Sequence, residues 1–156
     1  MDRLNSQDRF ARLDWARIAA ELDAEGHALL PQLPTADESR ALAREAAAAA
    51  GFDGFVPDAC LINQYLLGTR LSLHQDRDER DLGAPIVSVS LGMPATFLFG
   101  GLARADSTAR VPLQHGDVVV WGGVDRLRHH GVLPLKDQPH PLLGGRRINL
   151  TFRKAG

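Results

Sequence analysis

Ile86-Val87-Ser88-Val89-Ser90-Leu91 alternates apolar and small polar residues without a break. Successive side chains of an extended segment point to opposite faces, so such a run reads as a β-strand with two unlike faces. Outward from it, similar short runs recur at 59–66, 70–74, 95–99, 109–113, 116–121, 130–134 and 147–153, and this one spans 85–91. Pro or Gly punctuates most of the gaps, as at Gly68, Gly83, Pro94, Gly100-Gly101, Gly116, Gly131 and Gly144-Gly145. About eight short strands following a helical segment predict an α+β chain whose larger part is a sandwich or double-sheet jelly roll.

Upstream of the strands the periodicity is helical. Residues 12–24 place Leu13, Ile18 and Leu22 among polar residues at roughly helical spacing. Thr35-Ala36-Asp37-Glu38 is a capping-box pattern that opens an alanine-rich helix through about Ala50, with Gly51 as its stop. Between these helices, His27-Ala28-Leu29-Leu30 is short enough to be a strand. The expected organisation is one domain over 1–156, with a helical segment at 1–51 and a strand-rich core at 52–156.

Composition excludes several classes. The chain has 156 residues, 44% of them hydrophobic, and 18 Lys+Arg against 19 Asp+Glu give a net charge of −1. That hydrophobicity fills one core and argues against disorder, and the charge balance offers no global attraction to nucleic acid. Cys60 is the only cysteine, so an internal disulfide or a cysteine-based zinc site is excluded. Its apolar run Ala59-Cys60-Leu61-Ile62 predicts a buried, inert thiol. No stretch approaches the roughly 20 apolar residues of a membrane span, and the polar N-terminus is unlike a secretory signal. The expectation is a cytoplasmic monomer with no membrane segment.

Leu73-His74-Gln75-Asp76 is the first chemical signal. Residues i and i+2 of a strand share a face, so His74 and Asp76 can aim an imidazole nitrogen and a carboxylate oxygen at one point. His129-His130-Gly131 supplies a distal histidine. Two histidines and one carboxylate on one side of a metal form the facial triad of non-haem Fe(II) oxygenases, which leaves the opposite positions open. By itself His-x-Asp equally suits an exposed strand end, because Asp76 opens the charged run Asp76-Arg77-Asp78-Glu79-Arg80-Asp81. Adjacency leaves His129 and His130 equivalent at this point. His27, His115 and His140 read as structural or solvated.

The second signal is Arg147-Ile148-Asn149-Leu150-Thr151-Phe152-Arg153, whose alternation puts two arginines, an asparagine and a threonine on one face. Arginine forms bidentate, charge-assisted pairs with carboxylates. Two arginines about 20 Å apart along a strand, leaning inward, leave a gap on the scale of a short diacid. The same face also suits the solvent side of a strand.

Together and in this order, the signals resemble the AlkB family of Fe(II)/2-oxoglutarate-dependent dioxygenases. The resemblance covers residues 52–156, about two thirds of the chain. Its landmarks are Pro57-Asp58-Ala59-Cys60-Leu61-Ile62-Asn63-Gln64-Tyr65, Leu71-Ser72-Leu73-His74-Gln75-Asp76 and Pro85-Ile86-Val87-Ser88-Val89-Ser90-Leu91-Gly92. Phe99-Gly100-Gly101, His115-Gly116-Asp117-Val118-Val119-Val120-Trp121-Gly122-Gly123 and the arginine strand follow.

The resemblance implies a double-stranded β-helix (jelly roll) with N-terminal helices packed on one sheet. It implies His74, Asp76 and His130 as Fe(II) ligands and catalytic residues, the family's His-Gly pair selecting His130. Arg147, assisted by Tyr65 and Asn149, would bind the distal carboxylate of 2-oxoglutarate. Arg153 and Asn63 would hold its C1 carboxylate and keto end. Asp78 and Arg104 would lie on the substrate side, with Leu71, Ser72 and Trp121 as pocket wall. The implied activity is oxidative demethylation of alkylated bases, of the 1-methyladenine and 3-methylcytosine type, in single- or double-stranded DNA or RNA. O2 and 2-oxoglutarate are consumed, CO2 and succinate are released, and the alkyl carbon leaves as an aldehyde.

Before Phe52 the chain departs from the family pattern. The repair members carry a long aromatic and polar nucleotide-recognition lid between the N-terminal helix and the first barrel strand. Here Ala46–Ala50 runs straight into Gly51-Phe52, Tyr65 is the only tyrosine, and aromatic content is 6%. Base stacking draws on aromatics or arginine. Two other readings therefore stand beside the demethylase. One is a 2-oxoglutarate-dependent hydroxylase of a protein or small molecule, and the other is a non-catalytic metal-binding jelly-roll module.

Overall fold

In the computed structural model, residues 36–156 are described, together with Arg17 and Ala20, both helical. The rest of the expected helix at 12–24, the strand at 27–30 and the cap at Thr35 lie outside the described residues. The alanine-rich helix α1 spans Ala36–Ala49. It ends where Gly51, at φ 88°, turns the chain left-handed, so that the Gly51 and Phe52 amides donate back to the Ala48 and Ala47 carbonyls at 2.9 Å each. Glycine enters that conformation without the Cβ clash other residues meet.

Eight strands follow among the described residues: β1 Ala59–Leu66, β2 Leu71–His74, β3 Ile86–Gly92, β4 Ala95–Phe99, β5 Ala109–Leu113, β6 Val118–Trp121, β7 His130–Val132 and β8 Arg146–Arg153. They form two four-stranded sheets, ordered β1-β8-β3-β6 and β2-β7-β4-β5, with every pairing antiparallel. This is the jelly roll the alternating runs predict. Each of the eight strands predicted from residue 59 onward lies within two residues of an observed one.

The larger sheet, β1-β8-β3-β6, has two apolar clusters on its opposite faces. Val87 and Val89 of β3 and Phe152 of β8 pack against Ala43 and Ala47 of α1 and against Phe55. Alanine lets the helix approach closely, and both alanines are completely buried. The other face turns toward the second sheet, where Tyr65, Ile86, Phe97, Trp121 and Val132 form the main core with Met93, Leu113 and Leu135. Ala43–Gly156 form one compact unit, and the site described next lies wholly within it.

Cys60 corrects one expectation. It is exposed, because β1 is an edge strand of its sheet and its apolar run is covered on neither side of positions 60–62. Among the described residues no helix is long and apolar enough to cross a membrane.

Candidate metal and co-substrate site

Register builds the site. In β1, β8 and β3 the inward positions fall in three cross-strand rows: Tyr65–Arg147–Gly92, Asn63–Asn149–Ser90 and Leu61–Thr151–Ser88. The inner face of this sheet is therefore polar along its middle, although it is buried. Arg147, Asn149 and Thr151 are 1%, 6% and 6% exposed. The polar side of the arginine strand thus faces the interior, and the solvent-facing alternative does not hold. The opposite sheet supplies apolar wall (Leu71, Phe97, Val132) and two histidines. A cavity of about 280 Å³ lies between the sheets. Its lining includes all eight residues that the family resemblance assigns to metal and co-substrate: His74, Asp76, His130, Asn63, Tyr65, Arg147, Asn149 and Arg153.

At one end of the cavity, single ligand atoms of His74, Asp76 and His130 lie within 4.8 Å of one another. His74 Nε2 is 3.6 Å from Asp76 Oδ1, and His130 Nε2 is 3.4 Å from Asp76 Oδ2. β2 stops at His74, so Asp76 sits just beyond the strand and not on it. The convergence is completed by the irregular segment that follows β2 and not by strand pleat alone.

Both rings are oriented from behind. His74 Nδ1 bonds the Ser72 carbonyl at 3.0 Å, and His130 Nδ1 bonds the Arg128 carbonyl at 3.1 Å. A carbonyl only accepts, so each Nδ1 carries a proton and each Nε2 points toward Asp76. Once Nε2 gives up any proton to make room for a metal, this is the tautomer a metal requires, with the ring orientation already fixed from behind. Trp121 packs on His130 with ring centroids 4.9 Å apart.

Charge accumulates at this point. Burial works against ionisation of Asp76, but His130, His74 and Arg153 outweigh it and hold the carboxyl well below the usual carboxylate range. The Asp76 carboxylate raises the pKa of His74 above the usual imidazole value, against the opposing effect of burial. Asp76 Oδ2 is buried and has no hydrogen bond. A buried ionised oxygen with no hydrogen bond, and only the His130 ring 3.4 Å away, is a favourable seat for a cation. Two imidazole lone pairs and one carboxylate, with the cavity open opposite them, form a donor set suited to Fe(II).

At the other end lies Arg147. Its Nη2 donates to Ser90 Oγ and to Asn149 Oδ1, each at 2.9 Å. Its guanidinium sits 4.9 Å from the centre of the Tyr65 ring. Nε and Nη1 are buried without partners. Burial lowers the pKa of Arg147, a cost partly offset by Tyr65. An unfilled donor edge on a buried cation fits one end of a dicarboxylate. Asn149 is committed elsewhere, accepting from Ser88 Oγ at 2.9 Å and donating to Thr151 Oγ1 at 2.7 Å. It orients Arg147 within the cavity wall. Arg153 is largely committed too, to Asp76 and Glu79, leaving only its buried Nε unpartnered.

Other expected residues fall elsewhere. Asp78 and Arg104 are exposed, and neither lines the cavity. Leu71 and Trp121 do line it, whereas Ser72 is exposed and contributes its carbonyl to His74. His115 and His140 stack with centroids 4.2 Å apart, and each accepts a backbone N–H through Nδ1. Both are structural, as their loop contexts predict. Glu79 and Arg126 escape a reading of the sequence. Glu79 sits inside a run of six charged residues that reads as solvated, and Arg126 carries no motif.

The glycine of the His130-Gly131 pair has a steric reason. A Cβ at Gly131 would lie 2.6 Å from the Leu71 carbonyl oxygen and 3.2 Å from Leu73 N. Both contacts are backbone of β2, so side-chain adjustment brings no relief. Gly131→Ala is expected to push β2 off β7 and part His74 from His130. Stability should fall by about 1–3 kcal/mol and metal affinity by roughly 10–100-fold. Thermal unfolding with and without metal checks both; an unchanged metal affinity would contradict this account.

Comparison with known proteins agrees with this geometry. The 2OG-Fe(II) oxygenase superfamily profile matches residues 3–153. The chain is 60% identical over 125 residues to the alpha-ketoglutarate-dependent dioxygenase AlkB of Salmonella typhimurium, covering 80% of this chain and 57% of that protein. It is 56% identical over 139 residues to the Escherichia coli protein of the same name, covering 89% of this chain and 63% of that one. The chain thus spans about six tenths of the length of these two curated relatives. The solved structure of OsALKBH1 superimposes with a TM-score of 0.70 at 33% identity, covering 83% of this chain and 67% of the other. With the profile spanning nearly the whole sequence, the chain belongs to the 2OG-Fe(II) oxygenase superfamily and is of the AlkB type.

Proposed function

We propose that this chain oxidatively demethylates alkylated bases, of the 1-methyladenine and 3-methylcytosine type, in single- or double-stranded DNA or RNA. The observation that carries the proposal is the pairing within one cavity of a histidine–carboxylate–histidine cluster at one end with the unfilled donor edge of Arg147 at the other. The AlkB relatives narrow the substrate class. In this reading His74, Asp76 and His130 hold Fe(II). Arg147 takes the distal carboxylate of 2-oxoglutarate beside Tyr65, and Arg153 Nε with Asn63 takes its C1 end. When bound, Fe(II), 2-oxoglutarate and O2 supply the oxidation that converts an N-methyl group and 2-oxoglutarate to formaldehyde, the free base nitrogen, succinate and CO2.

The chain's own residues bind and orient. Ser90 and Asn149 fix the Arg147 fork before any ligand arrives, so little ordering remains to oppose binding. Leu71, Phe97, Trp121 and Val132 exclude water from the cavity, which strengthens every charged contact inside it. Asp78 and Arg104, exposed outside the cavity, are proposed to meet the nucleic acid. The same reading takes the chain as a single-domain cytoplasmic monomer, with its one cysteine, Cys60, left as a free thiol.

The test supplies Fe(II), 2-oxoglutarate and O2 with methylated oligonucleotides of both strandedness. Formaldehyde should appear in step with succinate. Succinate formation with no demethylation on any oligonucleotide would favour the hydroxylase of a protein or small molecule, a reading that the exposed position of Asp78 and Arg104 also suits.

A further inference from the structure

The Asp76 carboxylate is held asymmetrically. Oδ1 is ion-paired with Arg153 Nη2 at 3.1 Å, whereas Oδ2 is buried with no hydrogen bond. Arg153 is itself anchored, because its Nη1 donates to Glu79 Oε1 at 2.8 Å. The other Glu79 oxygen, Oε2, accepts from Arg126 Nη2 at 3.1 Å. Arg126 then closes a ring: its Nη1 donates to the backbone carbonyl of Asp76 at 2.8 Å, and its Nε donates to the Ala84 carbonyl at 3.0 Å. Glu79 and Arg126 are 7% and 3% exposed, and neither lines the cavity.

Such a cluster is a costly way to hold a loop. Buried ion pairs lose so much hydration that apolar residues of similar size often stabilise a fold as well or better. What charges add here is direction. A carboxylate with both oxygens free can grip a metal through either one or both. A second bond would take a position that the facial arrangement leaves open for co-substrate and O2. The Arg153 cation paired with Oδ1 leaves Oδ2 as the oxygen with no arginine on it, and that cation stays in place only while Glu79 holds its other arm.

We propose that Glu79 and Arg126 are positioning residues: they hold Arg153 on Asp76 Oδ1, so that Asp76 offers a metal Oδ2 alone. This rests on the reading of His74, Asp76 and His130 as a metal site, and extends it to two residues that touch neither metal nor co-substrate.

The test loads the full chain with Co(II), whose visible absorption weakens as coordination number rises. In a folded Glu79→Gln variant the bands should weaken toward a higher coordination number. The Kd for 2-oxoglutarate should rise about tenfold, while the Kd for Co(II) changes less than about threefold. Arg126→Lys carries the same expectation should Glu79→Gln fail to fold, and Glu79→Asp, which keeps an anion between the arginines, should restore part of the spectrum. A purely structural role predicts a lowered Tm with an unchanged spectrum and unchanged 2-oxoglutarate affinity, and that outcome overturns the inference alone. Failure of the wild-type chain to bind Co(II) overturns the metal reading and this inference with it. A metal-loaded wild-type crystal structure decides without any variant: bidentate Asp76 overturns the proposal, and ligation through Oδ2 alone supports it.

Discussion

His74→Ala removes metal-dependent turnover of 2-oxoglutarate to succinate, with metal affinity falling by more than about 100-fold, beyond the range for residues that merely support a ligand. Three observations set the size. Only three ligand atoms converge among the described residues, so two remain after the substitution. His74 Nε2 is already turned to the shared point by the Ser72 carbonyl, and the wild-type chain therefore spends little on ordering it. Removing an imidazole from beside Asp76 also opens the cavity mouth to water. The fold should be nearly indifferent. His74 is only half-buried, at the end of its strand, and loses one local hydrogen bond worth about 1 kcal/mol. Metal titration, succinate formation and thermal unfolding separate the effects. Unchanged succinate formation would sink the assignment of the metal site, and a collapse in stability would mean that His74 is a core residue.

What was legible in the sequence depended on whether the decisive physics was local. Alternation in Ile86–Leu91 and Arg147–Arg153 is local, and it fixes which side chains share a face. Where that face lies is not local. The polar face of β8 reads equally well as a solvent surface, and only the second sheet lying across it makes it interior. Glu79 shows the converse problem. A run such as Asp76–Asp81 has the composition of a solvated loop, yet it curls back so that Asp76 and Glu79 point inward while Arg77, Asp78, Arg80 and Asp81 stay exposed. The partner that buries Glu79 is Arg126, 47 residues away, and the other is Arg153, 74 residues away. Neither spacing is a motif. Cys60 misleads for a related reason, since an apolar run on an edge strand has no neighbour to cover it. Asp78 and Arg104 were reachable only through family resemblance, because nothing about an exposed aspartate and arginine marks them.

Arg147→Met is expected to abolish the response to 2-oxoglutarate while leaving the ligand-free protein as stable as before, or more so. The guanidinium is 1% exposed, and two of its three nitrogens have no partner. Without a bound carboxylate, the fold therefore carries a cation whose lost hydration is only partly returned by Ser90, Asn149 and the Tyr65 ring. Methionine has a similar length, no charge to desolvate, and the flexibility to fill the space beside Tyr65. Asn149 Oδ1 keeps its bond from Ser88 after the change, so few new unsatisfied groups appear. Replacing buried charge by apolar volume is typically neutral or stabilising, by up to about 4 kcal/mol.

Binding moves the opposite way. Two charge-assisted hydrogen bonds to the distal carboxylate are lost, at about 1.5–3 kcal/mol each, which raises the Kd for 2-oxoglutarate by at least roughly 100-fold. Thermal unfolding reads both sides in one experiment. At 100 times its Kd, 2-oxoglutarate should stabilise the metal-loaded wild type by about 2.7 kcal/mol, and the same concentration should leave the variant's Tm unmoved. A variant that unfolds well below the wild type without ligand would show that the bonds to Ser90, Asn149 and Tyr65 already compensate the buried charge. One that keeps its ligand-induced shift would move the distal carboxylate site away from Arg147. The expected pair of results, stability kept and response lost, would mean that Arg147 is retained at the expense of the empty fold for the carboxylate it receives.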